Sequence, residues 1–175
     1  MDMDRVEPVV ADMMDSLSRN SAALVTLSKL RASSNHLFSH SVNVAVLAMY
    51  FGRFLGLHPI TLKRIGQAGL LHDIGMSEVP EGIVKNRGKL SPDDLALVQR
   101  HPVSGHDFLA EQANIYPEVL AGALEHHERF NGNGYPFGLA GDKISVVGRI
   151  LALADSYDAL TSNRPHRKAM APHKA

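Results

Sequence analysis

Apolar residues recur at three- and four-residue spacing along most of the chain, and no stretch sustains the apolar/polar alternation of a half-buried strand. The pattern predicts an all-α protein. Val6, Val9, Val10, Met13, Met14 and Leu17 mark an amphipathic helix over 6–19, with Pro8 acceptable in a first turn. After a break at Asn20-Ser21, Ala23, Leu24, Leu27 and Leu30 give a second short helix that ends near the polar run Ala32-Ser33-Ser34-Asn35. These two segments, 1–35, read as a helical preamble packed on a domain of 36–175.

A long helix over 36–56 carries two adjoining stripes, Val42, Val46, Met49 and Leu47, Phe51, Phe54. Pro59 suits the first turn of the next helix, which Leu62, Ile65, Leu70 and Leu71 carry to His72, with Gly75 as its stop. Residues 76–90 read as loop with one short turn over 81–85. Ser91-Pro92-Asp93-Asp94 is a helix start, an N-cap serine followed by proline and two acids suited to the positive end of the dipole, and that helix runs to Arg100. His101-Pro102 ends it and opens another through Ala113; Pro117 opens a further helix leading to Glu125-His126-His127-Glu128. A structured loop at Asn131-Gly132-Asn133-Gly134-Tyr135-Pro136 precedes a last, strongly apolar helix over 143–160.

Composition narrows the chemistry. Lysine plus arginine equals aspartate plus glutamate at 18 each, so no overall field favours DNA, RNA or an anionic membrane. With no cysteine, disulfides and thiolate metal sites are excluded, and any metal ligands must be histidines and carboxylates. No apolar run approaches the ~18 residues of a membrane span, and the acidic start lacks the features of a signal peptide, so the chain reads as cytoplasmic. Ten histidines make convergence the question to ask.

Several polar residues sit where polarity is costly. His40 shares a stripe with Val44, Leu47 and Phe51 and must face the interior; alone, it is more simply a satisfied core histidine than a ligand. Asp155 and Asp158 interrupt an apolar helix, and Asp155, flanked by Ala152, Leu153, Ala154 and Ala159, needs a cation or a metal. The doublet His72-Asp73 and the residues His101, His126 and His127 stand at helix ends. Five histidines and two aspartates exceed a closed tetrahedral site. They suit two octahedral ions that share a bridging carboxylate and keep positions open for water.

The chain resembles the HD-GYP domains of the HD superfamily of metal-dependent phosphohydrolases. The resemblance is carried by His40-Ser41-Val42-Asn43-Val44-Ala45, His72-Asp73-Ile74-Gly75, His101-Pro102 with Gly105, and the run from His126 to Pro136. Ala154-Asp155-Ser156-Tyr157-Asp158-Ala159-Leu160-Thr161-Ser162 with Arg164-Pro165 completes it. It implies an HD-superfamily helical bundle that lacks the last helices of the usual domain. The implied activity is hydrolysis of cyclic di-GMP to pGpG or GMP with two divalent ions, usually iron or manganese. His40, His72, Asp73 and Asp155 would hold one ion and His101, His126 and His127 the other, with Asp73 bridging and activating water with both ions. Arg164 and Arg167 match positions that contact substrate phosphates. Gly134, Tyr135 and Pro136 match the loop that names the family, which also contacts diguanylate cyclase (GGDEF-type) domains.

Three departures qualify what the resemblance implies. Met76 stands where many members have a phosphate-binding lysine, and a thioether neither donates a hydrogen bond nor carries charge. His36 occupies the position of a glutamate that binds a third metal in some members; a capping or exposed histidine explains it equally well, so a third ion is not favoured. The early C-terminus would open apolar surface and favour a dimer. Met76 and the short C-terminus motivate an alternative, a weakly active or inactive module that binds cyclic di-GMP or docks partners. Another keeps the HD hydrolase but changes the substrate to a different cyclic dinucleotide or phosphoester.

Overall fold

A computed structural model describes residues 7–13, 15, 36–86, 88–162 and 168–175. Its helices are α1 (7–13), α2 (His36–Phe54), α3 (Pro59–Leu71), the short α4 (Glu81–Val84), α5 (Pro92–Val98), α6 (His101–Ala110), α7 (Pro117–Glu125) and α8 (Val146–Thr161). A 3₁₀ turn, Ile74–Glu78, follows α3. Among the described residues no strand forms; a single antiparallel bridge, Asn131 with Ala140, closes the loop between α7 and α8. The expected all-α class is what the chain adopts. The second preamble helix, the side chain of His36, and Arg164 and Arg167 lie outside the described residues.

Helix starts follow the capping chemistry of the sequence. Ser91 Oγ accepts a hydrogen bond from Asp94 N at 3.1 Å and Ser145 Oγ accepts one from Gly148 N at 3.0 Å, each satisfying a donor that the first turn leaves free. The ends are less faithful to expectation. The α5 helix stops at Val98 rather than Arg100, because its last turn tightens to let His101 begin α6. The α6 helix stops at Ala110 rather than Ala113, and Asn114 then takes a left-handed φ of 63° in the turn to α7.

The core is built where α2, α3, α7 and α8 meet. Val44, Leu47 and Ala48 pack with Ile65, Ala68 and Leu71, with Val119 and Ala123, and with Val147, Ile150, Leu151 and Ala154; Leu109 of α6 closes the cluster. A second cluster sets Val10 and Met13 of α1 against Ala45, Val46 and Met49 of α2. Small residues allow the helices to come close: a side chain at Gly69 of α3 would lie 2.5 Å from the Cα of Ala45. This packing gathers His40, the ends of α3 and α7, and Asp155 at one end of the bundle.

Gly75 has a different job from the expected helix stop. Its φ is not in the left-handed region, and the chain passes through it into the 3₁₀ turn. What requires glycine is contact: a Cβ there would fall 2.1 Å from the carbonyl oxygen of His101 and 2.5 Å from Gly105 N. The backbone after Asp73 thus rests directly on the first turn of α6.

Candidate metal centre

Three histidines share one local device. His72 follows the last residue of α3, His126 the last of α7, and His101 stands three residues beyond the end of α5. Each ring folds back on that helix, and Nδ1–H donates to a carbonyl three residues earlier: Gly69 at 2.8 Å, Ala123 at 2.9 Å and Val98 at 2.7 Å. Carbonyls at a helix C-terminus lack partners within the helix, so they accept. The proton is thereby fixed on Nδ1, and the lone pair on Nε2 is turned inward.

His40 is aimed inward by another route. Mid-helix, its Nδ1–H donates to Asp158 Oδ2 at 2.7 Å. The other oxygen of Asp158 accepts Asn43 Nδ2 at 2.8 Å and Ser162 Oγ at 2.9 Å, so this buried acid is well satisfied.

All seven candidate donors converge. Asp73, His101, His126 and His127 form one group and His40, His72 and Asp155 another; within each, the donor atoms lie within 4.8 Å of one another. Asp73 faces both groups. Its Oδ1 lies 3.2 Å from His101 Nε2 and 3.5 Å from His126 Nε2, while Oδ2 lies 3.4 Å from His72 Nε2 and 3.8 Å from His40 Nε2. Asp155 sets Oδ1 3.2 Å from His40 Nε2 and Oδ2 3.8 Å from His127 Nδ1.

Electrostatics divides the histidines. Burial pushes His72 down to about 4, against the pull of Asp73. Burial and the neighbouring His126 also hold His127 far below its ordinary value. For His40 burial works the same way, but hydrogen bonds to Asp155 and Asp158 outweigh it and raise it to about 9. Asp73 is held well below the usual carboxylate range: its own burial opposes this, and His72, His101 and His126 overcome it. The ionised Asp73 and the neutral His72 and His127 are in the protonation states metal ligation needs, whereas His40 has a proton to give up before it can ligate.

The donor set fits a cation on two further counts. His72 Nε2 is buried with no hydrogen-bond partner, although a neutral imidazole nitrogen so placed is costly. His101 Nε2 and His126 Nε2 lie 3.1 Å apart, and with both Nδ1 protons committed to carbonyls two lone pairs face each other. A shared positive charge relieves that repulsion.

The loop after His127 shapes the centre. Tyr135 stacks on the His127 ring, centroids 4.6 Å apart and planes 25° from parallel, and its N–H donates to His127 O at 3.2 Å. Burial and the charges of Asp155 and Asp73 raise the Tyr135 phenol, keeping it neutral. Gly134 lies against the backbone of Glu128 and Arg129, where a Cβ would come within 2.4 Å of Arg129 N. Pro136 follows a cis peptide bond. Sequence reasoning missed Glu128, whose buried carboxylate accepts Phe137 N at 2.8 Å and Leu139 N at 2.9 Å. It passed over Asp158 as a support for His40; an acid in an apolar helix with a histidine on a facing stripe was the available signal. Met76 holds Asp73 by its backbone, Met76 N donating to Asp73 O at 2.9 Å, while its side chain offers neither charge nor donor.

The family model described as "HD domain" matches residues 19–175. The chain belongs to the HD-domain family. Within it the chain is of the HD-GYP kind, similar to Bd1817 of Bdellovibrio bacteriovorus, described as a HDG"Y"P protein. That likeness has a TM-score of 0.71 at 26% identity, over 90% of this chain and 50% of the other. Among curated relatives, "Cyclic di-GMP phosphodiesterase PA4108" of Pseudomonas aeruginosa is 39% identical over 96% of this chain and 41% of its own length. "3'3'-cGAMP-specific phosphodiesterase 1" of Vibrio cholerae is 37% identical over 86% of this chain and 35% of its own. This HD domain thus spans less than half the length of either relative. Divalent metal binding goes with the HD domain, and the two His/Asp clusters are compatible with it. No helix among the described residues is long and apolar enough to cross a membrane.

Proposed function

We propose that this HD domain hydrolyses cyclic di-GMP to pGpG or GMP. The observation that carries the reading is the division of Asp73, one carboxylate oxygen toward His101 and His126 and the other toward His72 and His40. A carboxylate so placed suits two ions side by side. His40, His72 and Asp155 would hold the first, His101, His126 and His127 the second, and Asp73 both; an all-nitrogen-and-oxygen set favours iron or manganese. When bound, such a pair supplies Lewis acidity and a water of lowered pKa.

The chain's own residues do the rest. Carbonyl-backed and carboxylate-backed imidazole rings stay aimed without reorganisation, and the burial of His72 and His126 excludes water from behind the site. Arg164 and Arg167 supply planar cations for the phosphates, matching paired oxygens in a way a lysine at position 76 would not. The substrate is a small cytoplasmic nucleotide, and the reading calls for no nucleic-acid partner. The Gly134-Tyr135-Pro136 loop, flanked by the exposed rings of Phe130 and Phe137, is the surface for a GGDEF-type cyclase domain or for a second copy.

The test is metal analysis with product identification. Protein loaded with iron or manganese should hold two equivalents and convert cyclic di-GMP to pGpG or GMP; two equivalents without either product would sink the proposal. A second substrate reading, 3'3'-cGAMP, is favoured by the Vibrio cholerae relative named for it. Rates measured side by side on the two cyclic dinucleotides decide between them.

A further inference from the structure

The two halves of the centre are backed differently. Behind His101 and His126 stand neutral main-chain carbonyls, and His72 has the same support. Behind His40 stands a carboxylate instead, Asp158, which is 3% exposed and fixed by Asn43 and Ser162. We propose that the centre loads its ions in a set order because Asp158 makes the halves unequal: the His40–His72–Asp155 half takes the first divalent ion and the His101–His126–His127 half the second. This rests on the two-ion reading above.

Ligand charge is the first reason. The His40 half has Asp155 in addition to its share of Asp73, and Asp158 lends His40 negative character through a short hydrogen bond, which makes the ring a stronger donor. The His101 half has three imidazoles and only its share of Asp73. Hard divalent ions favour the half with more carboxylate charge. Access is the second reason. The His127 side chain is 19% exposed, against 7% for His40, 0% for His72 and 11% for Asp155, so the second half is the more open one at His127 and its ion exchanges more readily. Asp155 Oδ2 also approaches His127 Nδ1 at 3.8 Å, which leaves Oδ1 nearer His40 as the tighter contact.

Asp158 touches neither ion nor substrate on this view. It is a positioning residue, and the readout is metal affinity resolved step by step. Mn²⁺ is titrated into the metal-free full chain by calorimetry, with electron paramagnetic resonance recorded at one and two equivalents. The wild type should show two steps separated by more than about tenfold, with an isolated-ion signal at one equivalent and a coupled pair at two. Asp158→Asn should weaken the tighter step about 10–100-fold and leave the weaker one unchanged. The substitution is accommodated because the Asn43 amide, whose Oδ1 has no partner, can turn to accept from the new amide. His127→Ala should remove the weaker step alone.

Two steps of equal affinity in the wild type overturn the inference, as does Asp158→Asn weakening both alike, or loss of the tighter step in His127→Ala. If Asp158→Asn fails to fold, the wild-type titration and His127→Ala decide by themselves. Failure of the wild type to bind Mn²⁺ at all is a separate result, which overturns the metal-centre reading and this inference with it.

Discussion

His101 Nε2 is held 3.2 Å from Asp73 Oδ1 by backbone contact between the segments that follow and carry them, with Gly75 seated against the carbonyl of His101. The separation therefore depends on the absence of a side chain two residues from Asp73. Gly75→Ala should push the 3₁₀ turn off α6, destabilise the fold by about 1–3 kcal/mol and lower metal content, as read by chemical denaturation and metal analysis. Unchanged stability and full metal content would show that the contact relaxes freely.

Removing the shared carboxylate should be more damaging to chemistry than to folding. Asp73→Ala should hold no coupled pair of ions and lose ~10³-fold or more in kcat, several kcal/mol of transition-state stabilisation. Retained activity would mean that Asp73 does not bridge.

Proton release should accompany metal capture. His40, raised to about 9 by Asp155 and Asp158 against its burial, carries a proton at neutral pH that a ligand cannot keep. Capture near pH 7.5 should release roughly one proton, and the release should fade above about pH 9. The sign for the metal-free fold follows. A histidine raised from 6.5 contributes stability that is complete below 6.5 and lost as pH rises through about 9, so thermal midpoints should fall across that window. His72, lowered to about 4, acts oppositely, its contribution being complete above 6.5 and lost as pH falls through 4. Calorimetry in buffers of different ionisation enthalpy, with melts of metal-free protein, checks both.

The readable part of the site was the part that violates hydrophobic patterning. His40 on the stripe of Val44, Leu47 and Phe51 had to be interior, and Asp155 among alanines and leucines needed a partner; the structure buries both, 3.2 Å from each other. The element types were readable for the same reason, since period and caps are local. Gly75 was not, because a glycine after a helix serves either a left-handed turn or a close contact, and only the packing of α6 distinguishes them. Nor was the pairing of Asp158 with His40, which are 118 residues apart.

The stack of Tyr135 on His127 has its own expected signature. Tyr135→Phe should preserve it, whereas Tyr135→Ala should free the ring and weaken the His127-side ion severalfold, in line with an aromatic contact of about 0.5–1.5 kcal/mol. Equal effects of the two variants in a metal titration would move the role to the hydroxyl.

Arg164 and Arg167 should act through substrate affinity. Each Arg→Ala change should raise KM about tenfold or more, as for a charge-assisted hydrogen bond of ~1.5–3 kcal/mol, while metal content stays at its wild-type value. A fall in metal content would move them from substrate contact to support of the centre.

His72, His101 and His126 each point their Nδ1 at a carbonyl three residues back, so helix termination and ligand aiming are a single interaction repeated three times. Direction is therefore encoded within a few residues of sequence, and long-range packing has only to supply distance. Rebuilding the bundle around a different pocket could then change how far apart the donors sit without changing where they point, which gives one architecture latitude to serve different ions and different phosphoesters.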